Sequence, residues 1–147
     1  MRRPIRFDED RSGTCFGCGS ANPSGLHLEF YETEDGVEVE YTAPEVLAGA
    51  PGVVHGGIQA TLLDEAMCMT AFAKEGTGVV TGELTVRYLR TVPTGKPLVI
   101  RGRITERRDR SFFISGSIAL AETQEELTRA QGRFFVASRA VEEEAAS

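Results

Sequence analysis

The chain has 147 residues, 41% of them apolar and 26% charged, an ordinary globular composition that excludes a disordered tract or a fibrous repeat. Its 22 acidic residues against 16 basic give a formal charge of −6, which argues against nonspecific nucleic-acid binding. No stretch approaches the roughly 18 consecutive apolar residues of a membrane span, and Met1-Arg2-Arg3-Pro4 runs into charged residues, not an apolar signal region. The expectation is one cytoplasmic domain, 14–139, with no membrane partner, between flexible tails at 1–13 and 140–147.

The first patterned segment is Cys15-Phe16-Gly17-Cys18-Gly19, followed by the turn-rich run from Asn22 to Gly25. Three cysteines make no complete disulfide framework in a chain this long, so a reducing compartment is expected. The Cys15/Cys18 spacing is half of a zinc site, but no second pair follows and only His27 and His55 offer imidazole. No metal is therefore assigned. The two thiols read as packing a glycine-rich turn or as a reactive dithiol, and a zinc-dependent interaction module is the third reading.

Residues 26–30 and 37–41 alternate apolar and polar across Asp35-Gly36, predicting a hairpin with one buried face. A Pro/Gly-rich loop over 44–52 precedes an apolar helix over 57–74, with Gly76 as its stop signal. Four strands are then predicted, over 79–89, 97–106, 112–121 and 127–137, with connectors short enough to imply antiparallel neighbours. One long helix with about six strands describes an α+β fold in which a curved antiparallel sheet wraps the helix.

The helix carries Asp64-Glu65 among Leu62, Leu63, Ala66 and Met67 and opens on Gly56-Gly57. A carboxylate in such surroundings must reach solvent, find a partner or sit in a cavity where it is used. The glycine start offers backbone N–H groups and a positive dipole end to a ligand oxygen. Asp64 lies seven residues after Gly57, hence on the same helix face but about 10.5 Å away along the axis, too far for one carbonyl to touch both. Two helices antiparallel about a two-fold axis would bring Asp64 of one protomer to Gly57 of the other.

A water held by Asp64, with Gly57 N–H stabilising an oxyanion, would hydrolyse an ester or thioester. The plainer reading of Asp64 is an exposed carboxylate or one paired with an arginine such as Arg87. Glu65 points about 100° away, toward solvent or a salt bridge. His55 either contacts the substrate carbonyl, acts as an acid, or ties down loop backbone through a ring nitrogen. Arg101, Arg103, Arg107, Arg108 and Arg110, with Arg87 and Arg90 upstream, form either an anion-holding cluster or a solvated strand face.

At Val54-His55-Gly56-Gly57, with Asp64 nine positions after the histidine, and at Thr81-Gly82-Glu83-Leu84-Thr85-Val86-Arg87-Tyr88-Leu89-Arg90, the chain resembles the hotdog-fold acyl-CoA thioesterases of the phenylacetyl-CoA and 4-hydroxybenzoyl-CoA type. The Cys15 to Leu26 segment is also similar to that of bacterial members. The resemblance implies hydrolysis of a small-molecule acyl-CoA, with Asp64 as base or nucleophile, Gly57 N–H as oxyanion donor and Thr81 holding the water or carboxylate. It implies a homodimer with interfacial sites, paired in some members into a homotetramer, and no cofactor, coenzyme A being part of the substrate. Arg87, Arg90, Arg107 and Arg108 become candidates for its phosphates, and Thr61 and Cys68 for the acyl pocket. One departure is Gly49, where many members carry Asn six residues before the histidine. A hotdog enoyl-CoA hydratase or dehydratase and a non-catalytic acyl-CoA binding protein are the alternatives.

Overall fold

The computed structural model describes residues 3–5 and 13–137; the expected tail at 140–147 and most of the one at 1–13 lie outside them. One α-helix and seven strands form the fold: β1 (Arg3–Pro4), β2 (Tyr31–Glu32), β3 (Gly36–Thr42), α1 (Gly56–Glu75), β4 (Val79–Tyr88), β5 (Pro97–Arg108), β6 (Ser111–Leu120) and β7 (Glu126–Val136). A short 3-10 helix, Glu45–Leu47, precedes α1. The strands make a single antiparallel sheet in the order β1-β2-β3-β5-β6-β7-β4, closed around α1. This is the helix-in-sheet architecture expected, with seven strands where about six were read.

Three differences come from contacts distant in sequence. Residues 26–30 keep their alternation, with Leu26, Leu28 and Phe30 buried, but form no regular strand. Their backbone instead braces the cysteine turn, Leu26 N–H donating to Phe16 O at 2.7 Å and Leu28 N–H to Gly17 O at 2.9 Å. Part of the expected amino-terminal tail is sheet, since Arg3–Pro4 pairs with β2. Finally, β4 and β5 are not neighbours despite their short connector. That connector crosses the sheet end beneath the start of α1, where Val92 is buried and its carbonyl accepts from Val54 N–H at 2.8 Å. β4 is therefore left as an edge.

Helix α1 is buried on a broad face by Leu62, Leu63, Ala66, Met67 and Ala71, because the sheet curls around it. Each fully buried Leu or Met contributes about 1.5–3 kcal/mol over leaving it exposed. Two paired glycines, Gly102 and Gly116, let the sheet approach the helix closely, Gly102 against the Ala66 backbone and Gly116 against side chains. A Cβ on Gly102 would fall 2.5 Å from Thr70 Oγ1, and one on Gly116 2.9 Å from Met67 Sδ. The helix ends at Gly76, whose φ of 68° is a left-handed cap that other residues adopt at a cost. No helix among the described residues is long and apolar enough to cross a membrane.

Candidate active site

Asp64 projects from the middle of α1 toward edge strand β4, where Thr81 Oγ1 donates to its Oδ1 at 2.6 Å. A bulge at Gly82, between the paired residues Thr81 and Glu83, sets the aim of Thr81. Among the described residues Asp64 makes no ion pair, so its partner is the Thr81 hydroxyl and not Arg87. Cys68, one turn further along α1, places its sulfur 3.7 Å from the same Thr81 oxygen. Burial pushes the Cys68 thiol up to about 12, and the neighbouring Asp64 charge adds to the rise.

His55 occupies the N-cap of α1, and its Nδ1 accepts the Gly57 N–H at 2.9 Å. An imidazole here does the capping usually left to Ser, Thr, Asp or Asn. Accepting at Nδ1 requires an unprotonated nitrogen there, which leaves Nε2 as the ring's donor. The Gly57 amide expected to stand bare at the helix start is thus already engaged by the His55 ring, which ties down helix and not loop backbone. Gly49 lies against this ring: a Cβ there would sit 3.4 Å from His55 Cδ2. Thr61 turns its hydroxyl to Gly57 O at 3.0 Å.

Two residues of this end escaped the sequence reading. Tyr88 O–H donates to Gly56 O at 2.8 Å, fixing the end of β4 to the start of α1. Buried Gln59 donates to Val54 O at 3.0 Å and accepts from Thr128 Oγ1 at 2.7 Å, joining the helix start to β7. A polar residue on the apolar helix face was the available signal for Gln59; nothing local marks Tyr88.

The four arginines do not converge. Arg90 lies beyond β4 and pairs with Glu125 at 3.1 Å. Arg107 pairs with Glu75 at the far end of α1, and Arg108 with Glu106 at 2.6 Å. Arg87 is exposed on β4 opposite Arg129. Gly57 and Glu75 are 18 residues apart, about 27 Å along the helix, so one protomer's arginines flank opposite ends of it. Two open grooves lie on the outer sheet face, one along Arg101, Arg103 and Arg129, the other along Thr85, Phe113 and Arg133; neither includes Asp64, Gly57 or His55.

One long helix wrapped by a seven-stranded antiparallel sheet is the architecture of the hotdog class of proteins. The thioesterase superfamily profile matches residues 51–126, and the chain belongs to that family. Acyl-coenzyme A thioesterase THEM4 of Bos taurus is 30% identical over 89 residues, which cover 60% of this chain and 36% of that protein. The chain thus spans little more than a third of the length of such curated relatives. A crystallised thioesterase superfamily protein superposes with a TM-score of 0.70 at 28% identity, over 79% of this chain and 56% of the other. A Streptococcus mutans structure bound to acetyl CoA shares the fold, with a TM-score of 0.68 at 22% identity over 76% of this chain and 89% of that one.

Proposed function

We propose that the chain is an acyl-CoA thioesterase whose active site is completed across a dimer interface. The observation that carries this reading is the pair of ties between β4 and α1. Thr81, near the start of β4, holds Asp64, and Tyr88, at its end, holds Gly56. Strand β4 is ten residues long with a sheet partner on one side only, an edge available for another strand. Antiparallel pairing of two such edges about a two-fold axis sets the start of one β4 beside the end of the other. Asp64 of one protomer then faces the Gly57 end of its partner's helix.

In that arrangement Thr81 fixes one carboxylate oxygen and leaves Oδ2 for the reacting water or for attack on the acyl carbon. The thioester carbonyl oxygen takes over the partner's Gly57 N–H, and His55 must turn its Nδ1 away for this to happen. The amide and the positive end of α1 then stabilise the oxyanion as the thiolate leaves. Arg87 and Arg90 of one chain, with Arg107 and Arg108 of the other, are the phosphate contacts of this reading, because one protomer's set is split between the helix ends. Coenzyme A is substrate here, not a resident cofactor. The thiols of Cys15, Cys18 and Cys68 are free, in keeping with a reducing compartment such as the cytoplasm.

The engaged Gly57 amide and the glycine at position 49 favour one second reading, an acyl-CoA binding protein without turnover. Thiol release from short, medium, long-chain and aryl CoA esters separates the two. The thioesterase reading expects release from at least one class and a fall of about a hundredfold or more in Asp64→Asn. Tight binding with no thiol release establishes the binding protein.

A further inference from the structure

We propose that Cys15, Cys18 and Glu65 form a binding site for a thiophilic divalent cation of the zinc type, which fastens the amino-terminal segment to the central helix. Sequence offered two thiols and, beyond them, only the imidazoles of His27 and His55. The fold supplies a third ligand: Glu65 points into the turn Cys15-Phe16-Gly17-Cys18-Gly19 and, among the described residues, meets no basic partner. The two sulfurs and a Glu65 carboxylate oxygen all lie within 4.8 Å of one another. Cys15 Sγ is 3.5 Å from Glu65 Oε1. In a tetrahedral zinc site, with bonds of about 2.3 Å to sulfur and about 2.1 Å to oxygen, the sulfur–oxygen edge is about 3.6 Å.

The turn is built for this. Gly19 N–H closes it on Cys15 O at 2.9 Å. Glycine at 17 leaves room for the Glu65 carboxyl in the turn, since a Cβ there would fall 2.1 Å from Glu65 Cδ and push it aside. Glu65 itself is half-buried with no cation opposite it among the described residues.

A divalent ion bound by Cys15 and Cys18 as thiolates and by Glu65 as a carboxylate displaces the protons those groups carry and leaves a fourth position for water. Two sulfur donors select zinc-like ions over magnesium or calcium. The ion would link the segment that buries Leu26, Leu28 and Phe30 to the helix residue next to Asp64.

Cobalt(II) titration of the full chain after chelator treatment tests the site. Saturation at one cobalt per chain is expected, with thiolate-to-cobalt charge-transfer absorption and tetrahedral visible bands that zinc(II) abolishes. Cys18→Ser should roughly halve the charge-transfer intensity, and Glu65→Gln, which keeps both thiols and the side-chain shape, should weaken cobalt binding by about tenfold or more. Cys68→Ser should leave the spectrum unchanged. Circular dichroism confirms that each variant is folded. A folded wild-type chain giving no charge-transfer band, or a band that Cys18→Ser and Glu65→Gln leave unaltered, overturns the proposal. Ready formation of a Cys15–Cys18 disulfide by a disulfide reagent at the same rate with and without zinc(II) does so as well, and leaves a simple dithiol.

Discussion

Thr81 Oγ1 donates a 2.6 Å hydrogen bond to Asp64 Oδ1, joining the sheet edge to the one carboxylate that faces it from the helix. Hydrogen bonds to a charged group are worth about 1.5–3 kcal/mol, so losing this one should lower kcat by about tenfold to a hundredfold. Thr81→Val keeps the shape and lacks the hydroxyl, whereas Thr81→Ser retains it and should retain most activity. Equal rates for both variants would show that the contact does not serve turnover.

Cys68 lies against the same pair, and its thiol is held up at about 12 by burial first and by the Asp64 charge second. Only the thiolate reacts, so at pH 8 alkylation should run about a thousandfold slower than for an ordinary thiol near 9. The sign is set by deprotonation: the rate rises about tenfold per pH unit until pH approaches about 12. Asp64→Asn removes the largest of the raising causes after burial and should speed modification of Cys68. Mass spectrometry of iodoacetamide-treated protein reads both effects.

Position 49 is testable in the opposite direction. A side chain there would lie against the His55 ring. Gly49→Asn should fold, and should raise kcat/KM by about tenfold if its amide adds a donor beside the carbonyl site. A fall in kcat/KM with KM unchanged would mean that His55, undisturbed, already fills that role.

The helix and most strands could be read because their signals are local: glycines at 56, 57 and 76 bound α1, two-residue alternation marks β3, and turn residues separate the four long strands. What sequence could not tell was where each element docks. The alternation of 26–30 was real, yet its hydrogen bonds go to the cysteine turn, a relation set by tertiary packing. The same holds for β4, which a short connector suggested should pair with β5 and which pairs with β7. Glu65 is the sharpest case. Its helical position led to the expectation of solvent or a salt bridge, because nothing local shows that a glycine 48 residues earlier opens a turn to receive it.

Gln59 joins the helix start to β7 through Val54 O and Thr128 Oγ1. Gln59→Leu fits an apolar residue into the space but strands the Thr128 hydroxyl and the Val54 carbonyl. Each buried polar group left without a partner costs about 1–3 kcal/mol. The melting temperature should therefore fall by several degrees, at about 2–4 °C per kcal/mol. Thr128→Val combined with Gln59→Leu should recover part of that loss, as measured by thermal unfolding.

The central claim, that Asp64 and Gly57 act together from different protomers, is tested most directly by complementation. Asp64→Asn and Gly57→Pro, the latter lacking the amide hydrogen while remaining compatible with a first helical turn, should each be inactive alone. Co-refolded in equal amounts, they should regain about a quarter of wild-type thioesterase activity, because half the dimers are mixed and each mixed dimer holds one intact site. A mixture as inactive as its parents, although mixed dimers form, would place both groups of a site in the same chain and contradict the account.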